Sequence, residues 1–250
     1  MTPHADSVLR RLQGPCTQSV LTYYEMKGIE TVRPEDVDAY KANYRCFTPG
    51  LQATDIMDAY TDWAQTYDAT LCAGRYNGPE MAAEEIAARV EEHHRHCVRV
   101  LDVAAGTGKV GKELAKRGFT MIDALEPSEG MRNLLEDTGV YSYKYTEFLG
   151  LGENSVPDDT YDVVVIVGGM GEGHIPVSGI DDLIRITKPG GLVINVMRLE
   201  YLDYVEAYKD KLEPYMDLLH QKGWWQKVDR KVVPNYAFDK EGIIFIHRVL

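Results

Sequence analysis

The chain has 250 residues, a hydrophobic fraction of 44% and a formal net charge of −12 at pH 7. This length is ample for one α/β domain with a complete core, and the apolar fraction is ordinary for a globular protein. The acidic balance and the dispersed lysines and arginines disfavour a surface that neutralises many phosphates. We therefore expect no nucleic-acid partner.

The sequence also predicts a cytoplasmic protein with neither a membrane nor a metal partner. It has no apolar run of about 18 residues that would span a bilayer, and residues 1–6 lack the basic-then-apolar order of a secretory signal. Its four cysteines, at positions 16, 46, 72 and 97, are too scattered for a zinc site or a disulfide framework. Four reduced thiols are expected.

The first 54 residues are predicted to form a helical extension, and residues 55–250 the main domain. Weak helical periodicity occurs at 8–12 and 19–26, and Pro34 precedes a helix predicted at 36–47. We expect this extension to be either a cap that shapes substrate choice or a dimerisation arm. The chain is accordingly predicted to be a monomer or a homodimer.

Two helices are predicted next. The first carries apolar residues at spacings of three and four, the period of one helix face. They are Ile56, Met57, Tyr60, Trp63, Ala64, Tyr67 and Leu71. The second helix begins at Gly78-Pro79 and is predicted to end near His96, so that the basic residues 93–96 complement the dipole at its C-terminus.

Strands and helices then alternate along the chain. Predicted strands lie at 99–104, 119–125, 140–145, 161–167 and 192–197, with helices at 109–116, 128–138 and 180–187 and a stop at Lys188-Pro-Gly-Gly191. A long helix is predicted at 201–222, followed by strands at 224–233 and 242–249. The polar link between these last strands contains Pro234, Asn235 and Asp239 and is too short for a crossover, so they must be antiparallel.

The pattern predicts a Rossmann-like α/β fold with a seven-stranded, mostly parallel sheet that ends in an antiparallel hairpin. Its most informative stretch is residues 100–108, where an apolar strand runs into a turn with Gly106 and Gly108. Such a turn brings backbone N–H groups close to a ligand. A nicotinamide-binding domain would usually continue with parallel strands, so the terminal hairpin opposes an NAD-dependent oxidoreductase.

An acidic residue narrows the range of ligands that fit this turn. Glu126 follows the second strand, 20 positions after Gly106, where a carboxylate can accept hydrogen bonds from two ribose hydroxyls. Asp123 competes for this role but falls inside the strand. The turn also lacks the third glycine of pyrophosphate-binding loops, because Val110 and Gly111 follow Lys109. An adenosine without a pyrophosphate fits these residues better.

Four motifs in order resemble the class I S-adenosylmethionine-dependent methyltransferases over residues 55–250. They are Asp102-Val-Ala-Ala-Gly-Thr-Gly108, Glu126-Pro-Ser-Glu-Gly-Met131, Tyr161-Asp-Val-Val-Val165 and Lys188-Pro-Gly-Gly191. Residues 60–68 and 165–174 are similar to the methyltransferase-like proteins named for the Williams-Beuren syndrome region. One departure is that Ala104 and Ala105 stand where the class often has Gly-Cys or Gly-Ser; an added methyl group is small enough for binding to survive.

The resemblance implies S-adenosylmethionine as cofactor, with S-adenosylhomocysteine as product. The implied cofactor contacts are Tyr60, Trp63, Tyr67, Tyr76, Asp102, Ala104, Gly106, Gly108, Glu126, Pro127, Met131, Glu147, Phe148, Leu149, Val167 and Gly168. Asp102 would either order the loop or meet the methionine amine. The aromatic residues are either core or a lid whose ring faces attract the sulfonium and exclude water.

Three residues are candidates for acting on the methyl acceptor. His174 is the first candidate for a general base because its pKa lies near neutrality, and Glu172 is the second. Arg198 would bind an acceptor carboxylate or is a surface arginine.

We therefore expect methyl transfer to a small-molecule acceptor through oxygen, nitrogen or sulfur. A protein or nucleic-acid methyltransferase is disfavoured by the acidic charge and by the absence of an Asn-Pro-Pro-Tyr motif after the fourth strand. A non-catalytic module that binds S-adenosylmethionine stays open, and it predicts a protein without an enclosed acceptor pocket.

Overall fold

One sheet organises the part of the chain that the computed structural model describes, residues 29–250. Its strands are β1 (Arg99–Val103), β2 (Met121–Leu125), β3 (Lys144–Tyr145), β4 (Tyr161–Val167), β5 (Thr187–Arg198), β6 (Trp225–Ala237) and β7 (Lys240–Val249). The helices predicted at 8–12 and 19–26 lie outside the described residues.

The strand order is β3-β2-β1-β4-β5-β7-β6, and the first five strands are parallel. Strand β7 is antiparallel to β5 and β6, with Ile194 opposite Ile246. This arrangement confirms the predicted mostly parallel sheet with a C-terminal antiparallel hairpin. The order reverses direction between β1 and β4, and ligands of such sheets bind beyond the carboxyl ends of the strands at that point.

Helices cover both faces of the sheet. They are α1 (Val37–Tyr44), α2 (Ala53–Thr70), α3 (Gly78–Ala87), α4 (Lys109–Lys116), α5 (Glu129–Glu136), α6 (Gly179–Ile186), α7 (Tyr201–Tyr204) and α8 (Leu212–Gln221). Because side chains alternate along a strand, Val163 and Val165 pack in the core on one face, and Val164 and Ile166 in the core on the other. No helix among the described residues is both long and apolar enough to cross a membrane.

The helix predicted to reach His96 ends earlier. Helix α3 stops at Ala87, and residues Glu92–Cys97 form a separate 3-10 turn after Glu91, whose backbone is extended. Arg95 nevertheless serves the end of the helix, because its guanidinium donates to the carbonyls of Ala87 at 3.0 Å and Val90 at 3.2 Å.

The prediction of one continuous helix at 201–222 is wrong. Helix α7 ends at Tyr204, and α8 begins at Leu212. Between them, the hydroxyl of Tyr208 accepts a hydrogen bond from the amide of Gly171 at 2.9 Å and reaches the Ile175 carbonyl at 2.6 Å. One helix cannot run through this segment, because Pro214 has no N–H to donate to the carbonyl of residue 210 and Asp210 has a left-handed backbone with φ 54°.

Several strand bounds also differ from the predictions. Strand β1 ends at Val103, since Ala104 has a left-handed backbone with φ 55°, and β3 keeps only two residues. Strand β6 continues through the segment predicted as a link, and the hairpin turns at Phe238 and Asp239, which both have positive φ. In the extension, the helix predicted at 36–47 is α1 followed by a 3-10 turn at Arg45–Phe47.

Candidate active site

A cavity lies where the sheet order reverses, beyond the ends of β1, β2 and β4. Its volume is about 810 Å³ with its mouth included. It is lined by Ala53, Ile56, Met57, Tyr60, Tyr67, Ala104, Gly106, Leu125, Glu126, Pro127, Ser128, Met131, Phe148, Leu149, Leu151, Val167, Gly168, Gly169, Gly173, His174 and Ile175.

Only some residues of the glycine turn line this cavity. Ala104 and Gly106 line it, and a Cβ on Gly106 would meet nothing within 4 Å. Gly108, with φ 81°, precedes α4 and packs against Tyr141, so that a Cβ there would lie 2.9 Å from the tyrosine ring. The predicted contact through Gly108 is therefore not part of the cavity wall.

Glu126 is held by two backbone amides. Its Oε2 accepts from the N–H of Gly106 and its Oε1 from the N–H of Ser128, both at 2.8 Å, and the residue is only 7% exposed. Burial raises the pKa of the carboxyl group, although these two amides favour its charged form. A carboxylate has about four acceptor sites, so it can still accept bonds from hydroxyls of a ligand in the cavity.

Asp102 lies behind the turn rather than in the cavity. Its Oδ2 accepts from the Tyr141 hydroxyl at 2.6 Å, and that hydroxyl accepts from the Gly111 amide at 3.0 Å. Burial raises the pKa of Asp102 to about 7. Of the two predicted roles, these contacts support ordering of the loop.

The four aromatic residues among the implied cofactor contacts, Tyr60, Trp63, Tyr67 and Tyr76, are divided between the cavity and the core. Tyr60 and Tyr67 line the cavity, whereas Trp63 packs between the two apolar cores and donates its Nε1–H to the Thr70 hydroxyl at 3.3 Å. Tyr76 stands outside this cavity, where its hydroxyl donates to the Val167 carbonyl at 3.3 Å. Trp63 is therefore part of the core, whereas the role of Tyr60 and Tyr67 as a lid over a cofactor stays a prediction.

Most of the other predicted contacts reach the cavity. Pro127, Met131, Phe148, Leu149, Val167 and Gly168 all line it. Glu147 does not, because its carboxylate turns to the backbone amides of Thr146 at 2.9 Å and Ser155 at 3.2 Å.

His174 enters the cavity beside Tyr60. Its Nδ1 lies 2.8 Å from the Glu172 carbonyl, which only accepts, so Nδ1 carries the proton and Nε2 accepts from the Tyr60 hydroxyl at 2.9 Å. The ring stacks on Phe47 with centroids 4.4 Å apart, and burial lowers the pKa of His174 to about 4. The carboxylate of Glu172 is not in the cavity wall.

A second chamber adjoins the cavity and contains Arg198. Its volume is about 370 Å³ when the open solvent at its mouth is counted, and it shares Tyr60, Tyr67 and Gly168 with the cavity. The lining residues are Asn43, Phe47, Tyr60, Tyr67, Leu71, Tyr76, Gly168, Arg198, Tyr201, Tyr236, Ala237 and Phe238. Arg198 is 3% exposed, which excludes the predicted alternative of a surface arginine.

Sequence reasoning missed several of these residues. Asn43 and Phe47 come from the extension, Tyr201 from α7, and Tyr236 and Phe238 from the hairpin. They meet only through tertiary packing, and no spacing in the sequence connects them. The unusually high number of tyrosines, 16 in the chain, is the one signal that sequence composition offered.

Comparison with known proteins agrees with this arrangement. The DREV methyltransferase family matches residues 83–237. Methyltransferase-like protein 27 of Homo sapiens is 34% identical over 167 residues, which cover 67% of this chain and 66% of that protein. A demethylmenaquinone methyltransferase of Clavibacter sepedonicus is 37% identical over 38% of this chain and 39% of its own length. A solved SAM-dependent methyltransferase from Aquifex aeolicus aligns with a TM-score of 0.52 at 16% identity, covering 76% of this chain and 98% of that one.

The sheet order, the glycine turn and these matches together define the fold of the class I S-adenosylmethionine-dependent methyltransferases. The chain belongs to the DREV methyltransferase family. The resemblance found in the sequence is thereby confirmed, and S-adenosylmethionine is the cofactor of this class. The alignments span 66% and 39% of the two curated relatives.

Proposed function

We propose that this chain transfers the methyl group of S-adenosylmethionine to a small-molecule acceptor. The observation that carries the proposal is the junction between the two compartments. Tyr60, Tyr67 and Gly168 belong to both linings, so a donor in the cavity and an acceptor in the second chamber would meet there. Holding two reactants in line is the main contribution that a protein makes to such a displacement.

The residues of the cavity fit the cofactor. Glu126 offers buried acceptor sites to the ribose, and the apolar Phe148 and Leu149 suit the faces of the adenine. Gly168 lines the cavity with bare backbone, and glycine is required there because a Cβ would lie 2.7 Å from the Tyr76 hydroxyl packed behind it. When bound, S-adenosylmethionine supplies a methyl carbon that the acceptor's lone pair attacks while the sulfur leaves with the bonding electrons.

The chain's own residues line and order the junction. Tyr67 and Tyr60 offer aromatic rings to the cavity, and aromatic faces attract cations such as a sulfonium. His174 is neutral at pH 7 and fixes the Tyr60 hydroxyl by accepting its hydrogen bond. As a general base, His174 would take a proton either from the Tyr60 hydroxyl or directly from an acceptor that extends into the cavity.

The aromatic lining of the second chamber supports a small acceptor over the two other functions. A protein or nucleic-acid substrate needs an open, extended surface, whereas Arg198 lies in a chamber walled mainly by aromatic rings. A non-catalytic binding module needs no second compartment at the place where a methyl group would be presented. The number of subunits stays a prediction.

Two measurements test the proposal. Calorimetry should show that S-adenosylhomocysteine binds and NAD does not; the reverse preference would refute the assigned cofactor. A metabolite screen with S-adenosylmethionine labelled in the methyl group should yield a labelled small molecule. Label that is transferred only to protein or nucleic acid would overturn the assignment of a small acceptor.

A further inference from the structure

The second chamber combines flat aromatic walls with one buried cation. The guanidinium of Arg198 lies 5.7 and 5.5 Å from the ring centroids of Tyr201 and Phe238, which line the chamber, and it also contacts the rings of Tyr40 and Tyr44 outside the lining. On the junction side, the rings of Tyr67, Tyr76 and Tyr236 line the same space. Such walls favour a planar ring, since aromatic pairs gain stabilisation beyond the area that they bury.

Arg198 is held in place but not neutralised. Its Nη2 donates to the Asn43 side-chain oxygen at 2.7 Å, and its Nη1 lies 3.5 Å from the Glu200 carboxylate. Glu200 also pairs with Lys240 at 3.0 Å. Within residues 29–250, no other carboxylate is in ion-pair distance of either cation, so one carboxylate serves two positive charges.

A buried positive charge that lacks a full counter-charge is costly, and a ligand anion would remove much of that cost. A guanidinium has five N–H donors, of which Asn43 and Glu200 take two. The planar fork of arginine matches a carboxylate with two parallel hydrogen bonds.

We propose that the second chamber binds a small aromatic carboxylic acid and that Arg198 pairs with its carboxylate. The proposal rests on the proposed function, because it takes the second chamber as the acceptor site. With the carboxylate at Arg198, the rest of the molecule extends along the tyrosine rings towards the junction at Tyr67 and Gly168. Arg198 is then the residue that selects acids over neutral compounds.

The test uses benzoate and benzamide, which have the same shape but differ in charge. Both are titrated into the full chain loaded with S-adenosylhomocysteine, and binding is followed by calorimetry or ligand-observed NMR. Benzoate should bind at least about 10-fold more tightly than benzamide, the range expected for a charge-assisted pair. Equal binding of the two probes by the wild type would overturn the proposal.

Variants assign the preference to one residue. Arg198→Gln should abolish the preference for benzoate while leaving the affinity for S-adenosylhomocysteine unchanged. Arg230→Gln is the matched control, since Arg230 is an exposed residue of β6 that pairs with Glu213, and it should keep the preference. If circular dichroism shows that Arg198→Gln does not fold, Arg198→Lys takes its place and should keep a weakened preference for benzoate. The comparison of benzoate with benzamide in the wild type tests the proposal without any variant.

The outcomes separate this proposal from the proposed function. Loss of S-adenosylhomocysteine binding in Arg198→Gln would show that Arg198 holds the carboxylate of the cofactor, and would overturn the acceptor assignment. Wild-type chain that fails to bind S-adenosylhomocysteine would instead refute the proposed function. A preference for benzoate that survives in Arg198→Gln would also overturn the role of this arginine.

Discussion

Glu126 is the residue whose chemistry is most tightly constrained. Both carboxylate oxygens accept a backbone N–H, so replacing either oxygen by an amide NH₂ puts two donors face to face. We expect Glu126→Gln to weaken S-adenosylhomocysteine binding roughly 10- to 100-fold, the cost of losing hydrogen bonds to a charged group. Calorimetry measures the change. Glu129→Gln removes the same charge at an exposed position and should bind normally; unchanged binding in Glu126→Gln would contradict this account.

Ala104 carries a conformational cost in the same turn. Its φ of 55° is unfavourable for any residue with a Cβ. Ala104→Gly should therefore raise the free energy of unfolding by up to about 1 kcal/mol, measured in urea. Ala105 is 7% exposed and has no positive φ, so Ala105→Gly should lower it by a similar amount. The same direction of change in both variants would show that the backbone of Ala104 is not strained.

At the scale of elements, the position of α2 depends on a close contact with α5. Gly130 in α5 faces the backbone of Thr61 in α2, and a Cβ on Gly130 would lie 2.7 Å from the Thr61 carbonyl oxygen. Beside this contact, the hydroxyls of Thr61 and Ser128 form a hydrogen bond of 2.9 Å. Helix α2 carries Tyr60 and Tyr67, so this contact also sets the width of the cavity.

Gly130→Ala tests that contact because two effects predict opposite signs. Helix propensity alone would stabilise α5 by about 1 kcal/mol. The clash with Thr61 should outweigh it, lowering both the free energy of unfolding in urea and the affinity for S-adenosylhomocysteine. Glu129→Ala, at the exposed neighbouring position, should cost no more than the roughly 0.3–1 kcal/mol of its interaction with the helix dipole and should leave the affinity for S-adenosylhomocysteine unchanged. Stabilisation by Gly130→Ala with unchanged binding would mean that α2 moves freely over the cavity.

The elements that the sequence predicted well are those with a local signal. Strand β4 has the predicted bounds because its apolar run is buried on both faces, which is the pattern of a central parallel strand. The break after Tyr204 was missed although Pro214 is a local signal against one helix through 201–222, whereas the contacts of Tyr208 with Gly171 and Ile175 depend on tertiary packing. The site divides in the same way. Motifs located Glu126, whereas the burial of Arg198 depends on residues distant in the chain.

At the scale of the whole molecule, buried titratable groups make the free energy of unfolding depend on pH, and they do so in opposite directions. Burial lowers the pKa of His174 and His247 to about 4, so unfolding takes up protons and stability falls as the pH drops below about 6.5. Burial raises the pKa of Asp102 from 3.8 to about 7. The folded state then holds a proton that the unfolded state releases, so this group's contribution is present below pH 4 and is lost as the pH rises through 7.

Asp102→Asn isolates the acidic contribution, because an amide oxygen still accepts the Tyr141 hydrogen bond but cannot ionise. The free energy of unfolding of the variant relative to wild type should rise between about pH 4 and pH 7 and stay constant above that. The total rise is expected to be up to about 4 kcal/mol, since one pKa unit corresponds to about 1.4 kcal/mol. Urea unfolding across this range measures it. A difference that does not change with pH would mean that Asp102 is ionised throughout, held by a positive group of the loop or of a ligand rather than by Tyr141 alone.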